Sequence, residues 1–394
     1  MMSVLVGRTF AKLRGRKVSA GRSALVIPPA IPGSLGDAAM IAASSGFLRE
    51  RGIATVDLLY GKAWALDEKI DRRIAAERFF YKQSTAQKAL LVSRLPKYSE
   101  IYFIGADVID GAYNPGSVNA RLSLLAAGAC LGRKATLLGA SYNKSPEETT
   151  RRTLAGLPPS VTLCARDPVS RRRMESAFDR PVRQVADLAF LLMPRADHPA
   201  ALQAKAWIDS RRQAGDQVIG LNANYLHAER NPQIQQALKV LVEGLLRRPL
   251  SILLIPHDTR SQWPDEKLLD EAVAGISPRD RERVRMLPPV SPGVVRAVAP
   301  ALDMLVTGRM HTAILALSGG TPAYCFAYQD KFEGLFQFFA LDGADLLSTP
   351  EALAGEPAGV ADKVVEKLKD ESLFRAQIRR CLPSVVELAK QNFL

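Results

Sequence analysis

From Ser23 onward, short apolar segments alternate with longer segments that have helical periodicity. This alternation is typical of βα units on a parallel sheet, whose strands are buried on both faces and are continuously apolar. In the first half of the chain, strands are predicted at Leu25–Ile27, Thr55–Leu59, Ile101–Ile104, Ala135–Leu138, Val161–Cys164 and Arg183–Val185. Helices are predicted at Ala38–Arg51, Val118–Leu131, Glu147–Leu157 and Pro168–Phe178.

The alternation stops at Met193–Pro199, a segment with two prolines that we interpret as a linker, and then starts again. The second series predicts strands at Val218–Leu221, Ile252–Ile255, Arg285–Leu287, Met304–Val306 and Ala323–Phe326. Its predicted helices are Gln233–Leu246, Pro264–Ala274, Pro292–Ala299, Thr312–Leu317 and Lys331–Phe339. The tail Val360–Leu394 is predicted to be helical, with an interruption near Pro383.

The domain organisation follows from this pattern and from the length of 394 residues. A single core stops growing at roughly 250–300 residues, so two domains are expected. We predict an α/β protein with two tandem Rossmann-like domains and an interdomain cleft. Residues 1–22 form a tail, residues 23–194 the first domain, and residues 200–394 the second domain with the C-terminal helices. Ligands of such sheets bind beyond the carboxyl ends of the strands.

The charge balance is strongly basic, with 53 Lys and Arg against 40 Asp and Glu and a formal net charge of +13. A basic surface concentrates anions, and this favours phosphates, acidic glycans, nucleic acids or anionic lipids without choosing among them. Aromatic residues make up only 7% and do not alternate with a basic run. Because single-stranded nucleic acids are bound by stacking as well as by charge, we expect no nucleic-acid partner.

The first 22 residues carry six basic side chains and no acidic one: Arg8, Lys12, Arg14, Arg16, Lys17 and Arg22. The apolar stretch Val4–Val6 is too short for a secretion signal and precedes the charges. No apolar run in the sequence reaches the roughly 18–20 residues of a membrane span. We expect a cytoplasmic protein whose tail is either unstructured or a weak electrostatic contact with the inner face of an anionic membrane.

Cysteine and histidine usage limits the chemistry further. The four cysteines are scattered without CxxC spacing, which fits a reducing compartment: Cys130, Cys164, Cys325 and Cys381. The chain has only four histidines, and none pairs with another at the spacing of metal ligands. We therefore expect no metal site.

Three loops that follow strands of the first predicted domain contain candidate binding residues. The first holds Gly33, Gly36 and Asp37, whose glycines permit close approach of a ligand, although a turn capped by Asp37 has the same pattern. The second holds side chains that can hydrogen-bond sugar hydroxyls, unless it is an ordinary surface loop: Asp107, Asp110, Tyr113 and Asn114. Arg166, after the fifth strand, either faces the same region or forms a local ion pair.

The strongest signal lies where the strand Met304–Val306 leads through a glycine turn to Arg309, His311 and Thr312 at the start of a helix. Backbone N–H groups and the helix dipole favour an anion at such a turn. Arginine fits phosphate or carboxylate in a bidentate manner, and histidine can transfer a proton near neutral pH. The alternative is a helix start whose arginine pairs with an acidic residue.

Two other loops of the second predicted domain carry candidates. Asn222 and Asn224 follow its first strand, and His257 follows its second. A histidine at a strand end is a better candidate than one on a helix face, but a lone histidine is as often structural.

Several motifs in this order resemble the polysaccharide pyruvyl transferase family. The C-terminal signature of that family resembles Arg309-Met310-His311, Gly320-Thr321-Pro322, Tyr328 and Lys331-Phe332-Glu333-Gly334. Further similar positions are Gly33, Gly36 and Asp37, the pair Arg166-Asp167, the run Val185-Ala186-Asp187 and the pair Pro256-His257. Two departures concern the acceptor side: Ser34 stands where the family often has Asn, and Gly105-Ala106-Asp107 where it tends to have three glycines.

The resemblance implies a glycosyltransferase-B-like pair of domains. It also implies transfer of pyruvate from phosphoenolpyruvate onto two hydroxyls of one sugar, which forms a cyclic ketal and releases phosphate. Phosphoenolpyruvate is then a co-substrate, and no cofactor is implied. The acceptor is a saccharide, either lipid-linked, polymeric or a small glycoside.

The chemistry of the implied reaction assigns roles to the candidate residues. The donor is expected to contact Arg309, His311, Thr312, His257, Asn222, Asn224 and Arg166. The acceptor is expected to contact Gly33, Gly36, Asp37, Asp107, Asp110, Tyr113 and Asn114. His311 is the predicted general acid with His257 as the second candidate, Arg309 is predicted to assist phosphate departure, and Asp37 is a candidate base.

Two other functions fit the same residues. A nucleotide-sugar-dependent glycosyltransferase also needs phosphate-binding groups at a helix start in its second domain. A non-catalytic glycan- or phosphate-binding relative is the other alternative, and the presence of both Arg309 and His311 argues against it.

Overall fold

The computed structural model describes residues 21–66, 69–262, 265–327 and 331–394. Most of the basic tail, Pro264 and Tyr328 lie outside the described residues. Two parallel sheets flanked by helices form the α/β architecture predicted from the sequence. Along the described chain, no helix combines the length and apolar character that crossing a membrane needs.

Seven parallel strands form the first sheet: β1 (Ser23–Ile27), β2 (Thr55–Leu58), β3 (Arg72–Arg73), β4 (Glu100–Ala106), β5 (Lys134–Ala140), β6 (Val161–Ala165) and β7 (Arg183–Gln184). Their spatial order is β3-β2-β1-β4-β5-β6-β7, with Leu25 opposite Ile101 across β1 and β4. The helices of this half are α1 (Leu35–Glu50), α2 (Glu77–Lys82), α3 (Thr85–Arg94), α4 (Pro115–Cys130), α5 (Glu148–Ala155) and α6 (Pro168–Phe178).

Six parallel strands form the second sheet: β8 (Gln217–Asn222), β9 (Leu250–Leu254), β10 (Val284–Met286), β11 (Met304–Thr307), β12 (Ala323–Phe326) and β13 (Leu347–Ser348). Their order is β10-β9-β8-β11-β12-β13, and Val306 lies opposite Leu221 across β11 and β8.

The helices of the second half include several that the sequence pattern did not predict. They are α7 (Pro199–Gln213), α8 (Tyr225–Arg230), α9 (Gln233–Leu246), α10 (Asp265–Ala272), α11 (Pro278–Arg281), α12 (Pro292–Val298), α13 (Met310–Leu317), α14 (Lys331–Gln337), α15 (Gly343–Leu346), α16 (Pro350–Gly355), α17 (Pro357–Leu368) and α18 (Glu371–Lys390). The short elements β3, α8 and α15 lack enough residues to show a hydrophobic period, which is why they escape prediction.

The order of the strands sets the position of the site. In each sheet the connections diverge between two central neighbours, β1 and β4 in the first and β8 and β11 in the second. Ligands of doubly wound sheets bind at the carboxyl end of such a switch point. The loops that contain the strongest sequence candidates follow these four strands.

The two halves share an apolar interface. Leu35, Ala39, Ala42 and Ala43 of α1 belong to the same buried cluster as the core of the second half. Domains joined by small polar interfaces move relative to one another by default, whereas an apolar interface opposes such motion. The two sheets are therefore held together next to the switch points.

The C-terminal residues return to the first sheet. The Phe393 ring lies 5.2 Å from the Phe47 ring and 5.4 Å from the Tyr102 ring, measured between centroids. The Asn392 side chain accepts a hydrogen bond from the Gly139 N–H at 2.8 Å. The predicted assignment of residues 200–394 to the second domain thus omits the contacts of its last residues with the first.

The interruption predicted near Pro383 does not occur. Helix α18 continues through Pro383, and the break in the tail falls between α17 and α18 instead. A proline inside a helix removes one backbone hydrogen bond. Ile378, Val385 and Ala389 on the same helix are buried, and this packing holds α18 together on both sides of the proline.

Candidate active site

Loops from the two sheets are hydrogen-bonded to each other at the candidate site. The Leu35 N–H donates to the His257 carbonyl at 3.0 Å, and the Thr259 N–H donates to the Gly33 carbonyl at 2.9 Å. Between them, Ser34 and Asp258 form an antiparallel bridge. The loop predicted to bind the acceptor therefore contacts a loop predicted to bind the donor.

Gly33 and Gly36 serve this contact between the domains. A Cβ at Gly36 would lie 2.3 Å from Nδ1 of His311, and one at Gly33 would lie 2.3 Å from Cγ of Arg260. Gly33 also has a φ of +122°, which side chains rarely permit. The sequence assigned both glycines to the acceptor, but the structure places side chains of the second half against them.

His311 lies at the centre of the site, on the first turn of α13 and against α1. Its Nε2 is 3.3 Å from Nη1 of Arg166 and 3.6 Å from Oδ2 of Asp187. Because an arginine can only donate, the neutral imidazole accepts at Nε2 and carries its proton on Nδ1, beside Gly36. When protonated at both nitrogens, the ring also directs an N–H toward Asp187.

Arg166 and Asp187 form a buried pair behind His311. Arg166 donates from Nη1 to Asp187 at 2.8 Å and from Nε to the Ser141 hydroxyl at 2.8 Å. Burial alone raises the pKa of Asp187, but the charges of His311 and Arg166 outweigh it and lower that pKa far below 3.8. Asp187 is thus a buried carboxylate that stays ionised between Arg166 and His311. Of the two roles predicted for Arg166, the structure shows the ion pair, which also reaches His311.

Asp37 is a carboxylate of the first domain that lies in the site with a raised pKa. Its backbone N–H donates to the Ser34 hydroxyl at the start of α1, while the described residues give its carboxylate no hydrogen bond. Burial raises the pKa of Asp37 to about 6, even though the nearby charges of Arg260 and His311 lower it. A carboxyl group with this pKa exchanges its proton near neutral pH, as the predicted role of base requires.

His257 is fixed in one neutral tautomer. The Gly36 N–H donates to its Nε2 at 3.3 Å, so Nδ1 carries the proton and lies 2.8 Å from the Thr312 hydroxyl. Burial, together with the charges of Arg309 and His311, lowers the pKa of His257 well below 6.5. The predicted role of His257 as a second acid is not supported, because both ring nitrogens are used and the cation is disfavoured. His257 instead connects α1 to α13.

Arg309 is engaged by an aspartate on α10. It donates from Nε and Nη2 to the two carboxylate oxygens of Asp265, at 3.1 and 2.7 Å, and Nη2 lies 4.0 Å from Asp258. Burial raises the pKa of Asp265, and the charge of Arg309 opposes that rise. This is the alternative considered from the sequence, a helix start whose arginine pairs with an acid. A neighbouring arginine, Arg260, pairs with Asp258 in the same manner.

The asparagines predicted to bind the donor hold the second sheet together. Asn222 donates to the Ile255 carbonyl at 2.8 Å and accepts from the Thr307 hydroxyl at 2.7 Å. Asn224 donates to the Gly308 carbonyl at 2.9 Å and accepts from the Leu226 N–H at 3.1 Å. Both side chains are buried, so the predicted contact with a donor would first require these bonds to break.

The loop after β4 divides into structural and exposed groups. Asp110 is buried and accepts from the Ala112 N–H and from the Asn143 amide, so it shapes the loop. Asn114 caps α4 through the Ser117 N–H at 2.9 Å. Tyr113 is exposed, and its hydroxyl donates to Asp107 at 3.2 Å. Of these four predicted acceptor residues, Tyr113 and Asp107 have the side chains that best fit the prediction.

The start of α13 keeps backbone donors available. The first intrahelical bond runs from the Ala313 N–H to the Arg309 carbonyl, and within the described chain no hydrogen bond from the N–H groups of Met310, His311 or Thr312 occurs. Such groups and the helix dipole form an anion site. They lie on the same turn as the His311 ring.

Several residues of the site were not predicted from the sequence. Asp265 and Ser141 gave no signal of their own, because their partners, Arg309 and Arg166, are distant in the chain. Asp258 and Arg260 pair with each other two positions apart in the loop after β9. Asp187 did belong to a family-like run, and that run was the available signal. Among the residues that the structure describes, no group of three His, Cys, Asp or Glu side chains could hold a metal ion.

The fold defines the class of the protein. The chain is similar to Staphylococcus aureus MnaA in a co-structure with UDP, with 12% identity, a TM-score of 0.61 and 94% of each chain covered. It is similar to HepE from Anabaena in complex with UDP-glucose, with 14% identity, a TM-score of 0.56, and 94% of this chain and 98% of that chain covered. A trehalose 6-phosphate synthase from Burkholderia multivorans shares 10% identity at a TM-score of 0.57, with 95% of this chain and 97% of that chain covered. At these identities the similarity shows the glycosyltransferase-B-like fold alone.

A family assignment comes from the sequence of the whole site region. Residues 35–330 match the sequence model of the polysaccharide pyruvyl transferases, a range that includes Asp37, Arg166, Asp187 and His311. The chain therefore belongs to the polysaccharide pyruvyl transferase family. A search of curated proteins gave no match.

Proposed function

We propose that this protein transfers pyruvate from phosphoenolpyruvate onto two hydroxyls of one sugar in a saccharide acceptor. The observation that carries the proposal is the position of the His311 imidazole and the Asp37 carboxyl group, which come from different domains and lie on adjoining surfaces. Membership of the polysaccharide pyruvyl transferase family supports the same reaction class. Phosphoenolpyruvate acts as co-substrate, and the proposed reaction needs no further cofactor or metal.

The reaction makes definite demands on the site. A proton adds to carbon 3 of the donor, one sugar hydroxyl forms a bond to carbon 2, the bond to phosphate oxygen breaks, and the second hydroxyl closes the ketal. The two hydroxyl protons are conserved, because one ends in the new methyl group and the other on the released phosphate. The site must therefore supply an acid and a base.

His311 is the proposed acid. Asp187 lies 3.6 Å from its Nε2 and can accept an N–H from that nitrogen, while Arg166 pairs with Asp187 at 2.8 Å and keeps it ionised. Asp37 is the proposed base, because its pKa of about 6 leaves it ionised at pH 7 and still basic enough to accept a hydroxyl proton. His257 and Thr312 position the two helices that carry these groups.

The donor phosphate is proposed to bind the first turn of α13. Its N–H groups at Met310, His311 and Thr312 have no partner among the described residues, and the helix dipole adds to their attraction for an anion. Arg309 is the N-cap residue of this helix, and we propose that its charge assists phosphate departure from within its pair with Asp265.

The test incubates the protein with phosphoenolpyruvate and a panel of saccharides and measures phosphate release together with pyruvylated sugar by mass spectrometry. Saccharide-dependent phosphate release by the wild type, and its loss in His311→Gln, are the expected results. Leu202→Ala, an exposed position on α7, is the matched control and should keep full activity. Phosphate release that does not depend on a saccharide would contradict the proposal.

A nucleotide-sugar-dependent glycosyltransferase is the second candidate. The observation in its favour is that structures with the same fold contain UDP or UDP-glucose. Family membership favours the pyruvyl donor over this candidate. Release of UDP from UDP-glucose in the same assay, without phosphate release from phosphoenolpyruvate, would identify the glycosyltransferase instead. A protein that binds saccharides but releases neither product would be a non-catalytic relative.

We also propose a peripheral contact with an anionic membrane, which would bring a cytoplasmic enzyme to a lipid-linked acceptor. Four basic side chains line one surface cavity of about 420 Å³: Arg72, Arg73, Arg94 and Lys97. The Ser23 hydroxyl donates to the Lys97 carbonyl at 2.9 Å, so the basic tail joins the described chain beside this cavity. Vesicles containing phosphatidylglycerol should bind the full chain at low salt and should bind a tail-deleted variant more weakly. Equal binding to neutral phosphatidylcholine vesicles would contradict this contact.

A further inference from the structure

Two exposed tyrosines flank the candidate active site. Among the described residues, the exposed large apolar side chains include only two aromatic ones, Tyr81 at 40% and Tyr113 at 52% exposure. Tyr81 belongs to α2, and Tyr113 to the loop between β4 and α4. Single exposed apolar residues are common in proteins. These two rings, however, lie near the carboxyl edge of the first sheet, where the loops predicted to bind the acceptor also lie.

The Tyr81 ring is held by a buried arginine. Arg121 donates from Nη2 to the Tyr81 hydroxyl at 3.1 Å, and its guanidinium carbon lies 5.5 Å from the ring centroid. The same guanidinium donates from Nε to the Pro28 carbonyl at 2.8 Å, where the loop to Asp37 begins. Tyr81 is therefore attached, through one side chain, to the loop that carries the proposed base.

Arg121 has an unusual environment for a cation. Its side chain is fully buried, it lies 4.1 Å from the Phe80 ring centroid, and its hydrogen bonds go to carbonyl and hydroxyl groups of Pro28, Ser117 and Tyr81 instead of to a carboxylate. Burial lowers the pKa of Arg121. Burying a charge without a carboxylate is costly. The buried Arg121 fixes the position of the Tyr81 ring, which is 40% exposed.

Tyr113 is held on the other side of the same loop. Its hydroxyl donates to Asp107 at 3.2 Å, and Asp107 directly follows β4, the strand that pairs with β1 beside the loop to Asp37. The segments of the two tyrosines also touch, because the Gln83 side chain donates to the Gly116 carbonyl at 3.0 Å. The two rings thus lie on segments that contact each other beside the carboxyl ends of β1 and β4, and each ring is anchored at its hydroxyl by a charged group.

We propose that Tyr81 and Tyr113 form a platform for sugar rings of the acceptor that neighbour the ring receiving pyruvate. This inference rests on the proposed function. A pyranose ring has an apolar face of C–H groups that packs on the face of an aromatic ring, and tyrosine supplies such a face with little conformational entropy to lose. Rings already fixed by Arg121 and Asp107 lose still less on binding. The platform makes the enzyme prefer an oligosaccharide to a monosaccharide.

The experiment measures the acceptor KM for β-linked gluco- and galacto-oligosaccharides, from the monosaccharide to the tetrasaccharide. Tyr81→Ala and Tyr113→Ala should each raise the KM of the longer acceptors by about two- to tenfold and abolish the preference for length. Affinity for phosphoenolpyruvate, measured by calorimetry without acceptor, should not change. Tyr81→Phe keeps the ring but loses the hydrogen bond to Arg121, so its KM should lie between those of the wild type and Tyr81→Ala.

Leu90→Ala on the neighbouring helix α3 is the control, because Leu90 is 50% exposed and lies in no predicted loop of the site. An unchanged KM for longer acceptors in the double alanine variant would overturn the platform. If the wild type transfers no pyruvate to any saccharide, the proposed function fails, and direct calorimetry with the tetrasaccharides still decides this inference. Binding that the double variant loses would support the platform, and absence of binding to the wild type would overturn it.

Discussion

The carboxyl edges of the two sheets meet at the candidate site, but they use their polar side chains differently. At the edge of the second sheet, Asn222, Asn224 and Arg309 are buried and bonded to groups of their own domain. At the edge of the first, Tyr113 and Asn114 are exposed. A rigid, fully bonded edge can hold one small donor in one orientation, while an exposed edge can adapt to different saccharides. This difference is the reason to propose that the donor binds the second domain and the acceptor the first.

His311 differs from the other candidate residues at the edge of the second sheet, because its ring contacts Arg166 of the first domain. Replacing His311 should have the largest effect on activity. If His311 is the acid, His311→Gln should lower kcat by about 10²–10⁴-fold with little change in thermal stability. His257→Gln is the comparison: it should reduce stability by about 1–3 kcal/mol, because buried partners lose their bonds, and change kcat by less than His311→Gln. Steady-state kinetics and chemical denaturation of both variants test this. A larger loss of kcat in His257→Gln would reverse the two roles.

Asp37 differs from the exposed residues at the edge of the first sheet, because burial raises its pKa. The pH dependence of activity is therefore the next test. With a pKa raised from 3.8 to about 6, Asp37 is a base only above pH 6, so wild-type kcat/KM should rise as pH increases through about 6. Asp37→Asn should lose this rise and most of the activity. The raised pKa of Asp37 also makes the free energy of unfolding depend on pH, but this free energy falls where activity rises. The protonated Asp37 makes its full contribution to stability below about pH 4, and this contribution is lost as the pH rises through about 6.

The matched measurement follows denaturation of wild type and Asp37→Asn from pH 4 to pH 8. The stability difference between them should change in favour of the asparagine variant as the pH rises through about 6, because the variant has no buried charge to form. A difference that stays constant over this range would show that the Asp37 pKa is not raised.

The pair of Arg309 and Asp265 tests whether the second edge is a scaffold or a ligand surface. Asp265→Ala should destabilise the protein by about 3–5 kcal/mol, because it leaves a buried guanidinium without its partner. The double variant Arg309→Met, Asp265→Leu should recover most of that loss. Denaturation curves measure the stability, and calorimetry with phosphoenolpyruvate measures the donor. A tenfold or greater loss of donor affinity in a stable double variant would show that Arg309 binds phosphate as well.

The sequence predicted every strand of the two sheets except the two-residue strands β3 and β13, because buried parallel strands are continuous apolar runs that can be recognised without knowledge of tertiary contacts. It also placed Asp37 and His311 at helix starts that follow strands, because those positions follow from the local pattern. Pairing between distant residues is a different problem. Asp265 is 44 positions from Arg309, and Asn392 is 253 positions from Gly139, so neither pair leaves a local pattern.

The glycines of the site also show that contacts between distant residues cannot be predicted from the local sequence. A glycine in a strand-end loop permits close approach, but the sequence does not say whether a ligand or another part of the chain approaches. At Gly36 the approaching group is His311, and at Gly334 a Cβ would lie 2.8 Å from Cβ of Asp167 in the other domain. Both glycines belong to family-like motifs, and both are explained by contact between the domains.

The smallest expected effects come from two asparagines, one on each edge. Asn222→Ala removes a donor to Ile255 and an acceptor for Thr307, both buried, and should cost about 1–3 kcal/mol of stability while leaving both KM values near those of the wild type. Asn114→Ser keeps a side-chain oxygen that can cap α4, so stability should change by less than about 0.5 kcal/mol. Any effect of Asn114→Ser should then appear in the acceptor KM alone. Denaturation and steady-state kinetics on the two variants separate these outcomes. If Asn222→Ala is as stable as the wild type but binds phosphoenolpyruvate tenfold more weakly, the second edge is itself a ligand surface, and the contrast between the two edges does not hold.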